Sequence, residues 1–155
     1  MDYRIQEADF SLPEGSLDQS LNVLTLMPEN ASPFSLTISR KPATPGQNLA
    51  EHVVANIMTA EDQDDGFDLL WKRTVELDSH PAIILATRIG NHSQPVSLRR
   101  ICVLHGPVFL TITASVQGDF ASPQLDALNS FRRSFRFTKR PAPAPQPESN
   151  PQTGQ

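Results

Sequence analysis

A chain of 155 residues with 38% hydrophobic residues is long enough to bury one core of ordinary size. Its formal net charge of -4 and pI near 5.5 argue against a nucleic-acid partner, which would need clustered Lys and Arg. No run reaches the roughly 18 apolar residues of a spanning helix, and "MDYRIQEADF" is too charged for the apolar centre of a secretory signal. The expected setting is therefore the cytoplasm, without stable membrane insertion.

Along the chain, "DYRIQ" and "DFSLP" read as short strands. The next, "SLNVLTLM", is apolar on both faces: Leu21, Val23 and Met27 point one way, Leu24 and Leu26 the other. Two readings fit that pattern, a central strand between two layers or a surface that binds something hydrophobic. "FSLTISR" alternates Phe34, Leu36 and Ile38 with Ser35, Thr37 and Ser39. A helix follows in "NLAEHVVANIMTAEDQ", where Asn48 and Glu51 have the spacing of a capping box. Its ridge Leu49, Val53 and Ile57 is flanked by Ala50, Val54 and Met58, giving a wide apolar face.

The period then returns to two. "FDLLWKRTVEL" sets Phe67, Leu69, Trp71, Val75 and Leu77 against Asp68, Lys72, Thr74 and Glu76. "PAIILATRI" and "VSLRRICVL" follow, and Gly106-Pro107 joins the latter to "VFLTITASV" as a tight hairpin. A second helix starts at Ser122-Pro123, with Ser122 as its cap, and carries the stripe Leu125, Leu128, Phe131 and Phe135. The order strands, helix, four strands, helix predicts an α+β domain, a mainly antiparallel sheet with helices packed on it. It should occupy residues 1–138. Residues 139–155, "KRPAPAPQPESNPQTGQ", are too poor in hydrophobes for a core and read as a disordered, Pro-rich tail.

Chemistry is sparse. His52, His80, His92 and His105 lack the spacing of a zinc site. The acidic run Glu61, Asp62, Asp64 and Asp65 before Gly66 lacks the ligand spacing of a calcium loop. No glycine pattern makes a phosphate cradle and no G-x-S-x-G elbow is present, so neither cofactor nor metal is expected. Cys102, the lone cysteine, sits in an apolar run and reads as buried and inert. Arg99-Arg100 lies within a strand, so the two guanidinium groups face opposite sides of the sheet. The basic cluster Arg132, Arg133, Arg136, Lys139 and Arg140 suits the negative end of the last helix. The balance favours a binding module over an enzyme.

The segments "DYRIQEADFSLP", "DQSLNVLTL", "FSLTISR" and "VSLRRICVLHGPVFLTIT" resemble the EagR chaperones of the DUF1795/DcrB-like group, over about Asp2 to Phe137. The most specific piece is Asp18 to Val23. The resemblance implies a curved antiparallel sheet flanked by helices, similar to DcrB and PsbP, assembling as a homodimer. It also implies a role: binding the N-terminal transmembrane helices of a Rhs- or PAAR-containing type VI secretion effector in the cytoplasm, and aiding its loading onto the VgrG spike. By position, Leu21 and Val23 match groove-lining aliphatic residues, and Leu36, Thr37 and Ile38 supply further groove positions, Thr37 being unusually polar. Asn56 and Arg100 match polar groove residues that are amides in other members; Asn56 keeps that chemistry and Arg100 departs from it. The alternatives are a small apolar-ligand or lipid-binding module of the same fold and, behind it, a hydrolase built from dispersed His and carboxylates.

Overall fold

The computed structural model describes residues 2–4, 8–16, 19–64, 66–90 and 94–138. The predicted tail, His92, Asp65, Lys139 and Arg140 lie outside them. The chain divides into two compact units, one drawn from Met1–Asp18 and Phe137–Gln155, the other Gln19–Arg136. In the first, β1 (Asp2–Arg4) and β2 (Asp9–Ser11) pair antiparallel, with Tyr3 opposite Phe10.

The larger unit is a six-stranded antiparallel sheet. Its strands are β3 (Leu21–Leu26), β4 (Phe34–Pro42), β5 (Asp68–Leu77), β6 (His80–Ile89), β7 (Val96–His105) and β8 (Val108–Gln117). Helix α1 (Leu49–Gln63) separates β4 from β5, and α2 (Ser122–Ser134) follows β8. The spatial order is β3-β4-β8-β7-β6-β5. The α+β class and the element order expected from the sequence are both present.

Local chemistry explains the elements. Asn48 caps α1: its Oδ1 accepts from the Glu51 N–H at 2.9 Å while Glu51 Oε1 accepts from the Asn48 N–H at 2.9 Å, which satisfies two donors a helix start leaves unpaired. Gly106, at φ +59, makes the two-residue turn between His105 and Val108. The β5–β6 turn instead uses Asp78 and Ser79 at φ 50 and 65, a left-handed pair that Asp tolerates through its short polar side chain. Helix α2 departs from expectation at its start. Its cap is Ala121, not Ser122, and the Gln124 side chain closes the turn by accepting the Ala121 N–H at 2.8 Å. The Gln124 amide also donates to the Ser32 carbonyl at 3.0 Å, tying α2 to the β3–β4 connection.

The pleat gives the sheet two distinct faces. On one, Ile84, Ile101, Ile112 and Ile38 align across four strands beside Ala82, Val103 and Leu110, all of them apolar. Helix α2 belongs to this side, with Leu128 buried and the Arg132 guanidinium reaching the Glu76 carbonyl. On the other, Val53 of α1 packs with Leu85, Cys102 and Phe109, and Leu49, Ile57, Ile83 and Leu104 close around them. The second apolar ridge expected on α1 faces outward instead: Val54 and Met58 are exposed and line, with Ala50 and Ala55, a depression of about 440 Å³.

A half-open sheet face as the candidate functional site

Helix α1 lies over β6 and β7. From β7 to β3 are three strand spacings, about 14 Å, and an α-helix with its side chains is about 10–12 Å wide. A helix packed beside α1 at the usual interaxial distance of about 8–10 Å would therefore rest over β8 and β4. By these spacings, and among the described residues of the larger unit, the face beyond α1 has room for about one more helix.

The register names its floor. Val23, Thr37, Thr113 and Arg100 stand in one row across β3, β4, β8 and β7. The adjacent row places Leu21, Ser39, Thr111 and Cys102 side by side. Strands β4 and β8 thus present hydroxyls, all half-buried, from Ser35, Thr37, Ser39, Thr111, Thr113 and Ser115. The outer rim is aliphatic, with Leu21 and Val23 58% and 64% exposed. The inner rim is polar: Arg100 Nη1 donates to Asn56 Oδ1 of α1 at 2.7 Å, while the buried Arg100 Nε has no acceptor.

The residues singled out from the sequence therefore divide. Leu21, Val23, Thr37, Asn56 and Arg100 come together on the α1 face. Leu36 and Ile38 do not line this trough, because neighbours of Thr37 in a strand must point to the opposite side. Leu36 is fully buried there, level with Ala114 and Leu24. Strand β3 is not a central strand either. Among the described residues it forms the sheet's edge, with Val23 exposed on one face and Leu24 on the other, so two covering layers drawn from them do not explain its apolar character.

The remaining candidates have structural roles. His52 is buried, stacked on Phe109 at 5.0 Å. Its Nε2 accepts the Thr44 N–H at 2.9 Å and its Nδ1 lies 2.8 Å from the Asn48 carbonyl, so neither nitrogen is available to a metal. His80 and His105 meet edge to face at 5.6 Å. No group of three or more metal-ligating side chains occurs among the described residues. Burial pushes the Cys102 thiol up to about 11, against a smaller opposing pull from Arg100.

One arrangement escaped the sequence reading. A bulge between Leu69 and Trp71 breaks the predicted alternation of β5 and puts Trp71 on the α2 side, level with Ala86 and Arg99. Arg73 lies over the Trp71 ring at 4.0 Å, and Arg99 lies 5.1 Å from Trp71 and 5.0 Å from Phe120. Burial, then Arg73, pulls the Arg99 guanidinium below its ordinary range, with Asp119 opposing. Phe120 meets Phe34 edge to face at 6.1 Å, which carries the stack to β4. The only signal in the sequence was the Arg99-Arg100 pair, which required one arginine on each face.

Fold and site together define a small α+β scaffold in which, among the described residues of the larger unit, one helix lies over β6 and β7 and leaves β8, β4 and β3 beside it. The chain belongs to the DcrB family, whose model matches residues 7–134. It is 29% identical over 112 residues to a Pseudomonas aeruginosa protein named Effector EagT6, covering 72% of this chain and 78% of that one. That likeness agrees with the EagR-type resemblance of the sequence. Among solved structures, protein PA94 of Pseudomonas aeruginosa, described as a protein of unknown function and putative regulator, superposes with a TM-score of 0.72 at 24% identity, covering 92% of this chain and 98% of that one. LpqN of Mycobacterium tuberculosis, described as involved in cell envelope biogenesis, gives 0.50 at 13%, covering 77% and 84%. Both likenesses speak to the fold alone. No helix among the described residues is long and apolar enough to cross a membrane.

Proposed function

We propose that this protein is a chaperone of a type VI secretion effector, and that the half-open sheet face holds an apolar helix of that effector. The observation that carries the reading is the trough itself: about one helix wide, next to α1, with Leu21 and Val23 exposed along its rim. A membrane helix in water exposes apolar surface worth about 25 cal/mol per Å² on burial, so shielding one flank against the rim is favourable. The hydroxyls of the floor and the Asn56–Arg100 pair offer partners to the polar groups that membrane helices use against one another. The relationship to EagT6 supports the same reading.

In its full form the proposal is a cytoplasmic homodimer that binds the N-terminal transmembrane region of a Rhs- or PAAR-containing effector, keeps it from aggregating, and aids its loading onto VgrG without turnover of any substrate. The test is gentle purification from the native cell followed by mass spectrometry of whatever is present in stoichiometric amount. A large partner with apolar N-terminal segments is the expected result. Recovery of the protein alone from cells with an active secretion system would overturn the proposal, and a bound lipid in its place would point to a ligand-binding module.

A further inference from the structure

Arg100 faces the floor of the trough with a guanidinium that a neutral amide supports on one side only. On the opposite face Arg88 also has an unsatisfied buried Nε, but it donates to a carboxylate, Asp119, at 2.9 Å. Among the described residues Arg100 has one hydrogen bond, to the neutral Asn56 amide, its buried Nε is unsatisfied, and it has no ion pair with a carboxylate. The guanidinium has five N–H donors and no acceptor. Across the floor from it the row continues through Thr113 and Thr37 to Val23. While the trough is open, water reaches the half-buried side chain. A helix lying on the floor would expel that water, and a desolvated, unpaired charge is among the costliest things a protein interface can contain.

We propose that Arg100 is a specificity-determining residue, selecting an apolar helix that carries a carboxylate on the flank it lays in the trough. This rests on the helix-binding reading above. A Glu or Asp supplies what the guanidinium lacks, an acceptor of matching charge and bidentate shape. An amide supplies half of it and an aliphatic side chain none. Carboxylates are rare within membrane helices, so a pocket that demands one rejects most other apolar segments, as an unpaired buried group rejects partners that cannot satisfy it.

The test uses Lys-flanked 20-residue Leu/Ala helices that differ only in one central residue, Glu, Gln or Leu, and the full chain as wild type, Arg100→Gln and Arg100→Leu. Peptide kept in the supernatant after centrifugation, titrated against protein, gives the apparent affinity. The wild type should prefer the Glu peptide over the Leu peptide by about tenfold or more, with Gln between them. Arg100→Leu should reverse the order, and Arg100→Gln should bring Glu and Gln level. Equal retention of all three peptides by the wild type would overturn the inference alone. Retention of none would overturn the helix-binding reading and the inference with it. Because the wild-type comparison is decisive by itself, the outcome does not depend on either variant folding.

Discussion

The pair Leu21 and Val23 separates folding from binding more cleanly than any other positions in the molecule. Replacing both with Thr keeps strand propensity and, at Val23, nearly the same shape. Both side chains are more than half exposed, at 58% and 64%, so the change should alter folding stability by less than about 0.5 kcal/mol. Binding is different. Full burial of a Leu or Val side chain is worth about 1.5–3 kcal/mol; with over half of each still exposed, a helix in the trough gains about 1–1.5 kcal/mol per residue. Losing both should weaken binding of the Lys-flanked apolar 20-mer by about 2–3 kcal/mol, or about 30- to 150-fold. Leu36→Ala is the control. That side chain is fully buried on the other face, so truncation should cost about 2–5 kcal/mol of stability and lower the urea midpoint sharply. Peptide titration and urea unfolding, run on the same preparations, read the two effects. The reasoning is refuted if the double variant binds within twofold of wild type, or if its urea midpoint falls as far as that of Leu36→Ala.

Two further outcomes follow from the structure. With its thiol pushed up to about 11 and its side chain buried, Cys102 should resist a thiol reagent at pH 8 and react promptly in urea. Burial favours the neutral thiol, so its contribution is fully present below the ordinary value of 9.0 and is lost as pH rises toward about 11; unfolding titrations should show this decline in the wild type and lack it in Cys102→Ala. Arg99→Met keeps bulk between Trp71 and Phe120 but removes the charge, costing about 0.5–2 kcal/mol. Trp71 is the only tryptophan, so its fluorescence should change in the folded variant and match wild type in urea; an unchanged native spectrum would mean that the stack is not held in solution.

What the sequence revealed was whatever depends on neighbours along the chain. The Asn48–Glu51 box, the Gly106-Pro107 turn and the alternation of Val108 to Val116 with Thr111, Thr113 and Ser115 are local, and each is present. The position of β3 is not local. Whether an apolar strand lies inside a sheet or at its edge depends on which strand pairs beyond it, and among the described residues β3 pairs with β4 alone. The same applies to β5. One inserted residue at the bulge moved Trp71 to the face opposite Leu69, and nothing in "DLLWK" announces the extra residue. Leu36 and Ile38 are a different case. The resemblance groups three consecutive residues in one groove, whereas the period of two in "FSLTISR" sets Leu36 and Ile38 opposite Thr37. Asp78-Ser79 carries no glycine to announce a turn, yet the antiparallel register of Leu77 with His80 forces one.

The distribution of chemistry over the trough addresses a difficulty that any such chaperone faces. A surface greasy enough to hold a membrane helix is also greasy enough to stick to a second copy of itself when empty, and β3 is an edge strand besides. Within the trough the exposed apolar side chains are those of the rim, Leu21 and Val23, while the floor on β4 and β8 is a field of Ser and Thr hydroxyls closed by an arginine. Hydroxyls are satisfied by water when the trough is empty and can turn toward an occupant's polar atoms when it is full. A guanidinium facing the same floor repels another like itself. On the proposed reading, the polarity of Thr37 is what lets the trough stand empty without sticking to a second copy.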